Sequence, residues 1–154
     1  MPSSSSLWGR LLVVAVYAAA MAVVEATVVL YLRRLFVLQY GAVPAQGRFT
    51  FPAAYLGHEQ AREAATIVML VAVALLAGRG LRQRLAYFVL AFGVWDIGYY
   101  VALRIMLDWP SSLATRDLLF LIPRQWWEPV WVPLLASTAF IAAGLALLRP
   151  SRRR

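Results

Sequence analysis

The chain has 154 residues, of which 62% are hydrophobic, and its mean hydropathy is +0.70. This composition excludes an ordinary soluble domain and predicts an all-α polytopic membrane protein. The net charge of +8 comes from arginine alone, and the arginines lie at the ends of apolar runs, which disfavours nucleic-acid binding. With no cysteine in the chain, disulfides, thiolate metal sites and cysteine nucleophiles are excluded.

Four apolar runs approach the length that crosses about 30 Å of hydrocarbon at about 1.5 Å per residue. The first run, Leu11 to Leu32, is interrupted only by Glu25 and is longer than the apolar region of a cleaved signal peptide. We therefore predict one domain made of a bundle of four transmembrane helices. They cover about 11–34, 58–78, 84–107 and 128–148. Small side chains at 18–22 favour close approach of another helix to the first one.

The sequence between the first two apolar runs predicts a loop and the start of the second helix. Glycine and proline punctuate a loop from Gly41 to Gly57. The second apolar run, 64–78, is too short to span, so its helix is predicted to extend back through the charged turn 58–63.

The third loop is predicted to contain a short helix. Pro110 ends the third helix, and the segment 111–122 has the pattern of an amphipathic interfacial helix capped by Ser111 or Ser112. Pro129 suits the first turn of the fourth helix, and the nearby tryptophans are typical of a membrane interface.

Charge asymmetry predicts the topology. Eight arginines lie on one side without any acidic residue: Arg10, Arg79, Arg82, Arg84, Arg149, Arg152, Arg153 and Arg154. Arginine-rich connections remain in the cytoplasm. The chain is therefore predicted to lie in the bacterial inner membrane with both termini cytoplasmic and with Arg48 and Arg116 outside.

Carboxylates from three predicted helices fall at a similar depth in the outer half of the bilayer. Asp96 lies in the middle of an apolar helix, where a lone carboxylate is costly, and is predicted to face Glu25, Arg62 or Tyr100. Spacing of i, i+4 and i+8 places Asp96, Tyr100 and Arg104 on one ridge. The predicted ligand-binding residues are Glu25, Arg62, Glu63, Asp96, Tyr99, Tyr100 and Arg104.

Three interpretations of the charged turn remain open, and one of them is a site for a substrate or for protons. His58, Glu59 and Glu63 carry an imidazole and carboxylates that can bind a divalent metal, although their order is not the usual Glu-x-x-His arrangement. Alternatively, Arg62 neutralises Glu25, Glu63 or Asp96 in a network that only stabilises the bundle.

Several segments resemble an uncharacterised family of small bacterial integral membrane proteins. They are Arg62–Met69, Phe92–Ile97 with Tyr99 and Tyr100, Trp109–Leu113 and Asp117–Pro123. The resemblance implies a four-helix membrane protein and implies no activity.

Three classes of function fit these patterns. The first is a membrane-bound binding protein or enzyme with a buried acidic pocket that binds a cation, a metal or a small ligand. The second is a small dimeric proton-coupled transporter, by architectural analogy with four-helix transporters that use a glutamate in their first helix. The third is an accessory subunit of a larger membrane complex. The expected partners are the lipid bilayer and either a second copy or a complex subunit.

Overall fold

The computed structural model describes residues 4–40 and 53–149. Its elements, in chain order, are α1 (Ser4–Tyr40), α2 (Ala53–Ala77), α3 (Leu81–Leu107), β1 (Arg116–Phe120), β2 (Trp126–Pro129) and α4 (Trp131–Leu148). Each helix is long and apolar enough to cross a membrane. A mostly helical chain with four candidate membrane spans is therefore confirmed.

Several helix boundaries differ from the predicted ones. α1 extends beyond 11–34 at both ends, and α2 starts at Ala53, so the predicted loop from Gly41 ends before Gly57. Residues 41–52, and with them Arg48, lie outside the described residues. The charged turn 58–63 is part of α2, as the length argument predicted.

The predicted interfacial helix at 111–122 is wrong. Part of this segment is β1, which pairs antiparallel with β2 in a hairpin. Ser112 does not cap a helix but starts a turn. The backbone N–H of Ser112 donates a hydrogen bond to the Thr115 hydroxyl, and the backbone N–H of Thr115 donates to the Ser112 carbonyl. This tight turn leads into the extended apolar run that Pro123 ends.

The predicted start of the fourth helix is also wrong. Pro129 lies in β2, opposite Arg116, and the helix begins at Trp131. The backbone N–H of Trp131 donates to the carbonyl of Leu113, so the hairpin and the start of α4 are held together. Proline has no backbone N–H, so it is tolerated in such an edge strand as well as in a first helical turn.

α3 packs against the other three helices. Glycines permit its closest contacts, since a Cβ added at Gly93 would lie 2.6 Å from the Ser137 carbonyl oxygen of α4. A Cβ at Gly98 would lie 2.9 Å from the Ala22 Cβ of α1. Ala18 and Ala22 are fully buried, which fits the close approach predicted for the small residues of α1.

Arginines gather at the end of the bundle opposite the hairpin. Arg10 donates a hydrogen bond to the carbonyl of Ala77 at the end of α2, and Arg82 donates to the carbonyl of Arg149 after α4. Guanidinium groups thus occupy the negative ends of two helix dipoles. None of the acidic residues described by the structure lies at this end.

We expect Gly93→Ala to destabilise the bundle by about 1–3 kcal/mol, because the new methyl group would push α3 away from the backbone of α4. Gly57→Ala is the matched control, since an added Cβ at this helical position meets nothing within 4 Å. Thermal unfolding in detergent measures both variants. Equal stability of Gly93→Ala and the wild type would contradict the tight α3–α4 contact.

Candidate functional site

A cavity of about 560 Å³ lies in the half of the bundle that the hairpin covers. All four helices and both strands contribute to its walls. Its ionisable lining residues are Glu25, Arg33, Glu59, Arg62, Glu63, Asp96, Tyr99, Tyr100, Arg116 and Asp117. Six of the seven predicted ligand-binding residues thus share one space.

Arg62 connects α2 to α1 through two carboxylates. Its guanidinium contacts Glu25 of α1 and donates two hydrogen bonds, of 2.8 and 2.9 Å, to Oε2 of Glu59 one turn earlier in α2. The Thr66 hydroxyl donates to the second oxygen of Glu25 at 2.5 Å. Glu25 and Glu59 are each 7% exposed, so a single cation serves two buried carboxylates.

Two polar contacts attach the hairpin to the bundle. The carboxylate of Glu63 accepts hydrogen bonds from the backbone N–H groups of Leu121 and Ile122, at 2.7 and 3.2 Å. The Tyr100 hydroxyl donates to Asp117 of β1 at 2.9 Å. The hairpin therefore forms one wall of the cavity and is held to α2 and α3.

Asp96 faces the interior of the bundle, but towards α4. The Ser137 hydroxyl donates to its Oδ2 at 2.8 Å. Arg62 and Glu25, two of its predicted partners, contact each other instead. Among the described residues, no guanidinium forms an ion pair with Asp96.

Aromatic rings make up much of the remaining wall. Phe92 lies 5.4 Å from Trp95 and 5.7 Å from Phe140, measured between ring centroids, and both contacts are edge-to-face. Phe120 of β1 stacks on Phe92 at 6.4 Å. The indole N–H of Trp95 is buried and has no hydrogen-bond partner among the described residues.

Arg33 and Arg116 bring two further positive charges to the lining. The Arg33 guanidinium lies 4.1 Å above the Trp109 ring, within cation–π distance. With Arg62, three guanidinium groups face five carboxylates around the cavity. The lining therefore carries an excess of acidic groups.

Asp117 is the acidic residue of the hairpin that lines the cavity. Burial raises its pKa to about 6, although the hydrogen bonds from Tyr100 and from the backbone N–H of Leu118 act in the opposite direction. The protonation state of Asp117 therefore changes within the pH range of ordinary buffers.

The remaining predicted residues lie elsewhere. Arg104 is not in the lining, and it donates to the backbone carbonyls of Asp108 and Pro110 at the end of α3. His58 is exposed, whereas Glu59 and Glu63 point to Arg62 and to the hairpin. No group of three potential metal ligands comes together among the described residues.

Five charged or hydroxyl-bearing residues of the lining were not predicted from the sequence: Arg33, Thr66, Arg116, Asp117 and Ser137. Thr66 and Ser137 carried a usable signal, because hydroxyls inside apolar membrane helices often form hydrogen bonds to neighbouring helices. Asp117 was assigned to a helix that does not form, so its contact with Tyr100 could not be anticipated.

Comparison of the chain with protein-family models, with curated proteins and with solved structures finds no match. The resemblance to an uncharacterised membrane-protein family therefore identifies no family. The four long apolar helices support the coarser description of a small four-helix membrane protein.

We expect Arg62→Met to lower stability by about 3–5 kcal/mol, because it leaves two buried carboxylates without a cation. Glu25→Gln should cost less than about 3 kcal/mol, since Arg62 keeps Glu59 and the amide still accepts from Thr66. Arg104→Met, at an exposed arginine, is the control. Unfolding in detergent measures the three variants. If Glu25→Gln is less stable than Arg62→Met, Arg62 does not serve both carboxylates in the proposed way.

The raised pKa of Asp117 predicts a pH dependence. Between about pH 4 and pH 6 the folded state binds a proton at Asp117 that the unfolded state has lost, so the contribution of this group to stability falls as the pH rises. Asp117→Asn removes that dependence. The melting temperature of the variant minus that of the wild type should therefore increase from pH 4 to pH 7, and a constant difference would contradict the assignment.

Proposed function

We propose that this chain is a multi-pass protein of the bacterial inner membrane that binds a small ligand with a positive charge and an apolar body. The cavity covered by the hairpin is the proposed binding site. The observation that carries the proposal is the lining itself, which combines aromatic rings with an excess of carboxylates.

The size and the walls of the cavity favour an organic ligand over a bare ion. A volume of about 560 Å³ lies within the range of small-molecule sites, which are mostly apolar with a few polar groups. A bound metal needs several converging ligands, whereas Glu59 and Glu63 make contacts in different directions. Aromatic faces also attract organic cations.

The charges around the cavity favour a cation. Five carboxylates face three guanidinium groups, and like charges held together in a medium of low dielectric constant cannot all remain ionised without compensation. Protons can supply part of that compensation. A cationic ligand supplies it together with the apolar surface that would fill the cavity.

The orientation follows from the arginines. The end that holds Arg10, Arg79, Arg82, Arg84 and Arg149 is proposed to face the cytoplasm. Both termini are then cytoplasmic, and the hairpin with its cavity lies in the outer half of the bilayer. A ligand would reach the site from the outer side.

Four probes with the same phenylbutyl body separate the effects of charge and shape: 4-phenylbutylamine, 4-phenylbutyltrimethylammonium, 4-phenylbutanol and 5-phenylpentanoate. Calorimetric titration of the protein in lipid nanodiscs, with empty nanodiscs as the reference, should detect binding of at least one cation and no binding of the anion. Ala136→Phe narrows the cavity and should weaken this binding. Leu135→Phe is the matched control, because its neighbouring position is 64% exposed and is not in the lining.

The other classes of function predict different results. An accessory subunit whose charges only stabilise the bundle would bind none of the probes and would lose its partners when Arg62 is replaced. Failure of every cation to bind, or equal binding of the anion, would therefore contradict the proposed function.

The orientation can be tested with single cysteines, since the chain has none of its own. Gly80→Cys and Ser111→Cys place thiols at exposed positions on opposite ends of the bundle. In intact cells, a membrane-impermeant maleimide should label Ser111→Cys and should label Gly80→Cys only after lysis. The reverse pattern would invert the topology.

A further inference from the structure

Among the five carboxylates of the cavity, Asp96 differs in its partners. Glu25 and Glu59 contact Arg62, and Glu63 accepts two backbone N–H groups. Asp117 accepts the hydroxyl of Tyr100 and a backbone N–H. Within the described residues, Asp96 accepts a single hydrogen bond, from Ser137, and has no cationic partner. Its carboxylate therefore retains lone pairs that can accept further hydrogen bonds.

The surroundings of Asp96 are aromatic. Phe92 lies one helical turn before Asp96 on α3, and Phe140 lies one turn after Ser137 on α4. The rings of Phe92 and Phe140 are in contact, as are those of Phe92 and Trp95. A carboxylate beside such a cluster offers a cation both a hydrogen-bond acceptor and ring faces.

This combination discriminates among cations. A quaternary ammonium group binds aromatic faces but has no N–H to donate. A protonated primary or secondary amine does both, because its N–H groups can form charge-assisted hydrogen bonds with the free lone pairs of Asp96. In a site of low dielectric constant, leaving those lone pairs without a donor costs binding energy.

We propose that Asp96, oriented by Ser137 and flanked by Phe92, Trp95 and Phe140, is an amine-binding subsite that selects ligands with a protonated primary or secondary amine. This inference rests on the proposed function of the cavity. It adds the chemical class of the ligand and the residue that recognises it. Ser137 is a positioning residue, since its hydroxyl donates to the carboxylate and forms no other hydrogen bond with the described residues.

The test compares 4-phenylbutylamine with 4-phenylbutyltrimethylammonium in the nanodisc titration. The wild type should bind the primary amine at least about tenfold more tightly than the quaternary ion, as one charge-assisted hydrogen bond requires. Asp96→Asn should remove this preference. Asp108→Asn is the matched control, because the Asp108 side chain is 95% exposed and lies outside the cavity lining.

The possible outcomes separate the two proposals. If both cations bind with equal affinity to the wild type, the cavity binds cations and the amine-binding subsite is refuted. If Asp96→Asn retains the wild-type preference for the amine, another residue recognises it and the inference is again refuted. If neither cation binds, the proposed function itself fails. Since the first comparison needs only the wild type, a folding defect in Asp96→Asn does not leave the inference undecided.

Discussion

The contact of Arg62 with Glu25 and Glu59 is the interaction on which the arrangement of this bundle depends. Hydrocarbon offers no partner to a charged side chain, so an ionisable residue in a membrane helix must find its partners within the protein. Arg62 joins α2 to α1 with the help of Thr66. The next residue, Glu63, joins α2 to the hairpin through backbone N–H groups. One turn of α2 therefore fixes the positions of three elements around the cavity.

The same requirement gives the cavity its chemical character. Four carboxylates of the cavity have an ion pair or a hydrogen bond with the bundle or the hairpin, and these contacts hold the walls in place. They are Glu25, Glu59, Glu63 and Asp117. Asp96, by contrast, accepts only the hydroxyl of Ser137 among the residues that the structure describes. A wall stabilised by its own ion pairs can thus present one carboxylate to a ligand without losing the structure that positions it.

Periodicity and length were sufficient to predict the helices, because a membrane span needs a long apolar run whatever its neighbours are. Length also predicted that the charged turn of α2 belongs to a helix, and the cost of an unpaired carboxylate in hydrocarbon predicted that Asp96 faces inward. The hairpin could not be predicted, since the run around Leu118 fits both an amphipathic helix and a short strand. The rotation of each helix about its axis could not be predicted from the sequence either. The hydrogen bonds of Asp96 with Ser137 and of Tyr100 with Asp117 were therefore found only in the structure. The i, i+4, i+8 spacing placed Arg104 on the same ridge as Asp96 and Tyr100, but Arg104 lies beyond the cavity, at the end of α3.

An experimental structure of the protein in lipid nanodiscs with 4-phenylbutylamine is the most direct measurement of the central claim, that Asp96 receives a cationic ligand inside the bundle. The account predicts density for the probe in the cavity, with its nitrogen within hydrogen-bond distance, about 2.7–2.9 Å, of a carboxylate oxygen of Asp96 and its ring against Phe92 or Phe140. Density for the amine at another carboxylate, or a cavity filled by side chains or lipid while the amine binds elsewhere, would contradict it.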